Sequence, residues 1–178
     1  MDNNVSFRVH KDELADAAAW VARSLPTKST QPVLRAVVIT ADDNGLEFAG
    51  FDYEVSTRVR IGAEVNDPGR VAVAGKLLAD IVGTMPNDAI EVSTDSKVMT
   101  LKARSSRFEL PLIALDDYPQ LPHLPEVTGR ISPAALTGAV TQVASAAGRD
   151  DTLPMLTGIH MEIDGENVTL TATDRFRL

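Results

Sequence analysis

Apolar residues at Leu14, Ala17, Ala18, Val21, Ala22 and Leu25 fall at i, i+3, i+4, i+7, i+8 and i+11. That spacing lines one stripe of an α-helix, which must then pack on something apolar. Leu136, Ala139, Val140, Val143, Ala144 and Ala147 repeat the stripe one for one, 122 residues later. Sliding the chain against itself by that offset pairs residues 8–56 with 130–178 without a gap, with ten identities in 49 pairs. Pro32 meets Pro154, Leu34 meets Leu156, Asp42 meets Asp164 and Asp52 meets Asp174. Ser132-Pro133 supplies an N-cap and a first-turn proline for the second helix. In each copy a polar loop leads to the proline and then to a strand. Segments 33–41, 45–51 and 54–62 read as strands, with Asp42-Asp43-Asn44-Gly45 as a hairpin turn. The predicted unit is one strand, one helix and three strands.

The same order recurs inside the first 122 residues. A strand over 70–74 is followed by a helix over 76–84, with Leu77, Leu78, Ile81 and Val82 facing inward, and by strands at 89–94, 97–103 and 106–112. Residues 1–122 therefore read as one domain of two units, an α+β fold with eight strands and two short helices covering one face of antiparallel sheet. Residues 114–129 hold Pro119, Pro122 and Pro125 without periodicity and read as a linker. Residues 123–178 are then the linker's end and the N-terminal part of a second domain. That domain holds 49 of about 122 expected residues, so the pattern implies a longer chain.

Composition narrows the chemistry. The chain has 178 residues, 44% apolar and 24% charged, and no cysteine. This excludes a disulfide framework, a thiolate metal site and a cysteine nucleophile, and suits a reducing, cytoplasmic setting. The start carries no export signal, and no run of about 18 apolar residues offers a membrane span. A net charge of −8 should repel a phosphate backbone, so a nucleic-acid role would rest on local charge or on shape. Lys97, Lys102, Arg104 and Arg107 make one basic hairpin, read equally well as an edge strand guarded by charge. His10, His123 and His160 show no spacing for a shared metal, and no nucleophile elbow, P-loop or dinucleotide motif occurs. The acid pairs Asp42-Asp43, Asp116-Asp117 and Asp150-Asp151 sit where turns are expected.

Two features point toward binding. The outer face of the helix over 133–147, Thr137, Thr141, Gln142 and Ser145, carries no charge, which suits a loose contact or simply a Ser/Thr/Ala-rich helix. The chain's last residues, Ala172-Thr173-Asp174-Arg175-Phe176-Arg177-Leu178, set an aromatic between two arginines. With Met155 and Leu156 they suggest a small apolar pocket with cationic rims, although a buried Phe with solvated arginines fits as well.

Taken together, Pro32-Val33-Leu34, Gly50-Phe51-Asp52-Tyr53-Glu54, Ser106-Arg107-Phe108-Glu109-Leu110-Pro111, Asp117-Tyr118-Pro119, Ala147-Gly148-Arg149-Asp150, Leu156-Thr157-Gly158 and the 172–178 segment resemble the bacterial replicative sliding clamps, the β subunits of DNA polymerase III. The resemblance covers domain one and the first part of domain two. It implies a head-to-tail homodimer of three-domain chains, each domain built from two β-α-β-β-β units, closing into a ring with helices inside. It implies no catalytic activity, no cofactor and no metal. Its partners would be double-stranded DNA and, through short peptides, the replicative polymerase, the clamp loader and repair proteins. Held by enclosure, DNA need not meet an overall basic protein.

On this chain the resemblance assigns DNA contacts to Lys28, Arg149 and Asp150. It assigns a peptide pocket to Leu156, Thr173, Arg175, Phe176, Arg177 and Leu178, and the dimer interface to Lys76, Arg107, Phe108 and Leu110. The family often has glycine and histidine where this chain has Arg175 and Phe176, which should alter the pocket's rim. The pocket's remaining wall would come from later residues, so this length of chain should bind such peptides weakly. An enzyme or a non-ring, peptide-binding adaptor are the other classes the residues leave open.

Overall fold

The computed structural model describes residues 4–29, 31–116 and 118–177, and the chain divides into two compact units, Met1–His123 and Leu124–Leu178. Unit one runs β1 (Ser6–His10), α1 (Lys11–Ser24), a 3-10 turn (Pro32–Arg35), β2 (Ala36–Asp42), β3 (Gly45–Phe51), β4 (Ser56–Ile61), β5 (Glu64–Asp67), β6 (Gly69–Ala74), α2 (Gly75–Thr84), β7 (Ala89–Thr94), β8 (Val98–Ala103) and β9 (Ser106–Pro111). The strands form two antiparallel sheets, ordered β4-β3-β2-β6 and β5-β1-β7-β8-β9.

The two halves exchange strands. The first strand of each half, β1 or β6, pairs inside the sheet of the other half. Only Pro68 separates β5 from β6, and there the chain leaves one sheet for the other; proline has no N–H to pair at such a crossing. Both helices and both sheets share one core, in which Phe7, Leu14, Val21, Phe48, Leu78 and Leu101 are at most 2% exposed. Complete burial of each such side chain contributes about 1.5–3 kcal/mol, and in this shared core each half supplies part of the other's cover.

Several expectations are corrected. The strand predicted from residue 33 begins at Ala36, because Pro32 opens a 3-10 turn in which the Leu34 N–H donates to Gln31 O at 3.2 Å. β4 starts at Ser56 and not at 54, because Asp52 Oδ1 accepts from the Glu54 and Val55 amides at 3.0 and 2.7 Å and closes a turn. β5, short and mostly exposed, has too little apolar content to show in the sequence. Leu77 is 43% exposed; Leu78 and Val82 hold the inward face of α2.

The linker expectation also changes. Ile113, Leu115, Tyr118 and Leu121 lie across the outer face of the β4-β3-β2-β6 sheet and pack on Ala36, Val38 and Ala72. The Ile113 N–H donates to Ala72 O at 2.8 Å, and Arg58 Nη2 donates to Pro122 O. β2 is thus covered on both faces, which explains its unbroken apolar run Ala36–Ile39. Burial pushes the Tyr118 phenol above its ordinary range.

Unit two contains α3 (Pro133–Ala144), a 3-10 turn (Pro154–Leu156), β10 (His160–Asp164) and β11 (Asn167–Thr171). Its hairpin closes on Asp164 and Asn167 where the first closes on Asp42 and Gly45, the same offset that aligns the sequences. Residues 128–132, counterpart of β1, form no strand: β1 is held by β5 and β7, and residues 124–178 contain no equivalents of these. α3 buries none of its residues and β10 is exposed throughout.

Candidate nucleic-acid, peptide and subunit interfaces

After β11 the chain turns sharply on one carboxylate. Asp174 Oδ1 accepts from the Phe176 and Arg177 amides at 3.0 and 2.9 Å, and Oδ2 accepts from Arg177 Nε at 2.9 Å and Nη2 at 2.6 Å. The Arg177 guanidinium, with two turn amides, holds the Asp174 carboxyl down to about 2. Arg175, at the crest, has φ +80°, a left-handed conformation that costs an L-residue about 1–2 kcal/mol. Its amide donates to Thr173 Oγ1 at 3.1 Å. Phe176 is 90% exposed and Met155 87% exposed.

Within residues 124–177 the buried-Phe alternative is not seen: Phe176 and Met155 stand in solvent, and Arg177 is paired with Asp174. A cavity of about 460 Å³ lies beside the turn, walled by Ala147, Gly148, Arg149, Asp174 and Arg177. Gly148 suits this wall: its amide donates to Leu156 O at 2.7 Å, and an added Cβ would lie a tight 3.2 Å from that same oxygen. Leu156, half-buried, is joined to the cavity wall through this bond. Leu178 lies outside the described residues, as do Thr30 and Asp117. Sequence reasoning passed over Asp174 as a site residue; its match to Asp52 in the repeat was the available signal.

Of the DNA candidates, Lys28 and Arg149 are exposed. Asp150 Oδ1 accepts from the Thr152 hydroxyl at 2.6 Å and amide at 3.0 Å, which lowers its carboxyl below the usual range. It shapes the loop and presents no attraction to phosphate. On α3, Thr141 Oγ1 donates to Thr137 O at 2.7 Å and Ser145 Oγ donates to Gln142 O at 3.4 Å, so two of the uncharged face's hydroxyls bond their own helix.

The basic hairpin is β8–β9, and much of its charge is locally paired. Arg104 Nε meets Asp88 Oδ2 at 2.8 Å, and Arg107 Nη2 meets Glu109 Oε1 at 2.6 Å. β9 is the last strand of its sheet. Lys76 and Arg107 are exposed and Phe108 is half-buried, but Leu110 is 0% exposed and belongs to the core. Side chains alternate along β9, so Leu110 shares with Phe108 the face turned to the core, and its side chain is covered within this chain. Among the described residues no cluster of His, Asp and Glu is arranged to hold a metal ion, and no helix is long and apolar enough to cross a membrane.

Comparison with known families decides the assignment. Residues 5–122 match the family model of the DNA polymerase III beta subunit, N-terminal domain, and residues 130–178 match that of its central domain. The chain belongs to the DNA polymerase III beta subunit family. The "Beta sliding clamp" of Streptomyces coelicolor is 49% identical over 97% of this chain and 46% of its own length, and that of Micrococcus luteus 45% over 98% and 56%. Among solved structures, a sliding clamp from Pseudomonas aeruginosa bound to griselimycin superposes with TM-score 0.83 at 27% identity, covering 96% of this chain and 47% of that one. A putative beta subunit from Eubacterium rectale, at TM-score 0.86 and 20% identity, shows the shared fold. The chain spans about half the length of the beta subunits it matches.

Proposed function

We propose that this chain is the first domain and the beginning of the second of a bacterial replicative sliding clamp, a non-catalytic cytoplasmic ring that encircles duplex DNA and tethers the polymerase. The observation that carries this is two consecutive beta subunit domains matched in one chain, together with 49% identity to the S. coelicolor clamp. In this reading topology and not adhesion retains DNA, which reconciles a net charge of −8 with the partner. Lys28 and Arg149 supply weak, register-free phosphate contacts, and Asp150 holds the loop that presents Arg149. β9, with its unpaired edge, Lys76, Arg107 and the rim of Phe108, faces the second protomer of the homodimer.

The segment Thr173–Leu178, whose described part is the turn ending at Arg177, is with Leu156, in the same reading, the half of a docking pocket that receives short peptides of the polymerase, the clamp loader and repair proteins. Griselimycin, carried by the P. aeruginosa relative's structure, is a ready probe of that pocket. The decisive experiment compares circular with linearised duplex: the whole protein, loaded by its clamp loader, should stay on a nicked plasmid through gel filtration and be lost within minutes once the plasmid is cut. Equal retention on both forms would refute enclosure.

A further inference from the structure

Two turns in this molecule are built alike, and the way they differ assigns a role. In unit one, Asp52 Oδ1 accepts from the amides two and three residues on, and Tyr53 at the crest has φ +75°. In unit two, Asp174 Oδ1 does the same, with Arg175 at φ +80°. The turn thus forms from one carboxylate oxygen and two backbone amides. The second oxygen is free to do something else, and only in unit two does it: Arg177, whose counterpart in unit one is Val55, lays Nε and Nη2 on Asp174 Oδ2. Asp174 is 18% exposed at its side chain and Arg177 63%, so the carboxylate is the fixed partner and the guanidinium is drawn to it. Charge-assisted bonds of this length are the stronger kind.

We propose that Asp174 is a positioning residue of the docking turn: it captures the Arg177 guanidinium against the cavity wall and leaves Arg175 and Phe176 as the side chains that a docking peptide meets. The inference rests on the reading of residues 173–178 as a docking segment. Because the unit-one turn closes without an arginine, the Asp174–Arg177 pair is an addition to the turn and not a condition of it.

The test uses the whole beta subunit that carries these residues, nitrogen-15 labelled, with griselimycin as the probe. In the wild type the Arg177 Nε–H cross-peak is expected to be slowed in exchange, and griselimycin is expected to shift the amides of 173–177. Asp174→Asn keeps an oxygen for the turn amides but releases Arg177: the cross-peak should lose protection while the Phe176 amide keeps its position, and griselimycin should bind about fivefold more weakly. Asp174→Ala should lose both. Asp52→Asn, the matched change in unit one, should leave griselimycin binding as it was. Unchanged affinity in Asp174→Asn, with the wild-type shifts present, overturns the proposal, as does an equal loss in Asp52→Asn, which would mean general loosening. No griselimycin-dependent shift at 173–177 in the wild type overturns the docking reading itself, and the positioning role with it.

Discussion

α1 and α3 carry one apolar stripe in two settings. Leu14, Ala17, Ala18 and Val21 are at most 2% exposed, whereas α3, with Leu136, Ala139, Val140 and Val143 at the same spacing, buries nothing. The local rules are met in both: Ser132 Oγ accepts from the Ala135 amide at 3.2 Å, and proline opens α3. What differs is cover. Unit one packs α2 and the strands β3 and β4 against α1, while residues 124–178 hold a single half. An amphipathic pattern specifies which face will be buried; the partner that buries it is set elsewhere in the chain.

The largest effect that breaks this comparison is a pair of identical substitutions. Leu14→Ala, in a full core, should lower unfolding free energy by about 2–5 kcal/mol. Leu136→Ala, at the matched position and 37% exposed, should change it by no more than about 0.5 kcal/mol. Urea denaturation of the 178-residue chain reads both, and equal losses would mean that α3 is covered in solution.

A smaller effect sharpens the likeness of the two turns. Tyr53 and Arg175 both occupy left-handed backbone, at φ +75° and +80°. Tyr53→Gly and Arg175→Gly should each stabilise local structure by about 0.5–1 kcal/mol, the left-handed cost less glycine's own entropy. Amide exchange at residues 54–55 and 176–177 measures it, with parallel gains in both units expected; a loss in either would mean that the side chain at the crest contributes contacts that outweigh its strain.

The sequence carried the fold where the repeat carried it. Helix α1, the hairpin at Asp42–Gly45 and their copies at an offset of 122 follow from periodicity and turn chemistry, which are local. Strand exchange between the halves was not legible, because a strand's partner leaves no mark on its own alternation; for the same reason the missing strand over 128–132 could not be foreseen. Burial along β9 shows what alternation can tell: Phe108 and Leu110, two apart, share the face turned to the core, and alternation alone does not say that Leu110 is covered completely and Phe108 only in part. The strap over β2 was hidden by its prolines, which read as linker although Tyr118 and Leu121 had apolar work to do. Asp174 stands in the 172–178 motif without a binding role of its own, because the pairing of both its oxygens depends on the turn's geometry.

The smallest expected effect separates the turns by acid. Asp174 has its carboxyl held at about 2 by Arg177 and the turn amides, below the roughly 3.9 of an unfolded aspartate. A depressed folded value means that the unfolded chain binds the proton first as pH falls. The contribution is therefore complete above about pH 4, declines as the pH drops, and is gone once the folded carboxyl itself protonates near pH 2. Following the Arg177 Nε–H cross-peak from pH 6 to pH 2 should show the pair intact at pH 4 and lost near pH 2. In Asp174→Asn that titration should vanish while the Thr152 amide, held by Asp150 in the neighbouring loop, keeps its own acid response. Loss of the Arg177 signal already at pH 4 would mean that water, not Asp174, holds the guanidinium, and the two turns would then differ in sequence alone.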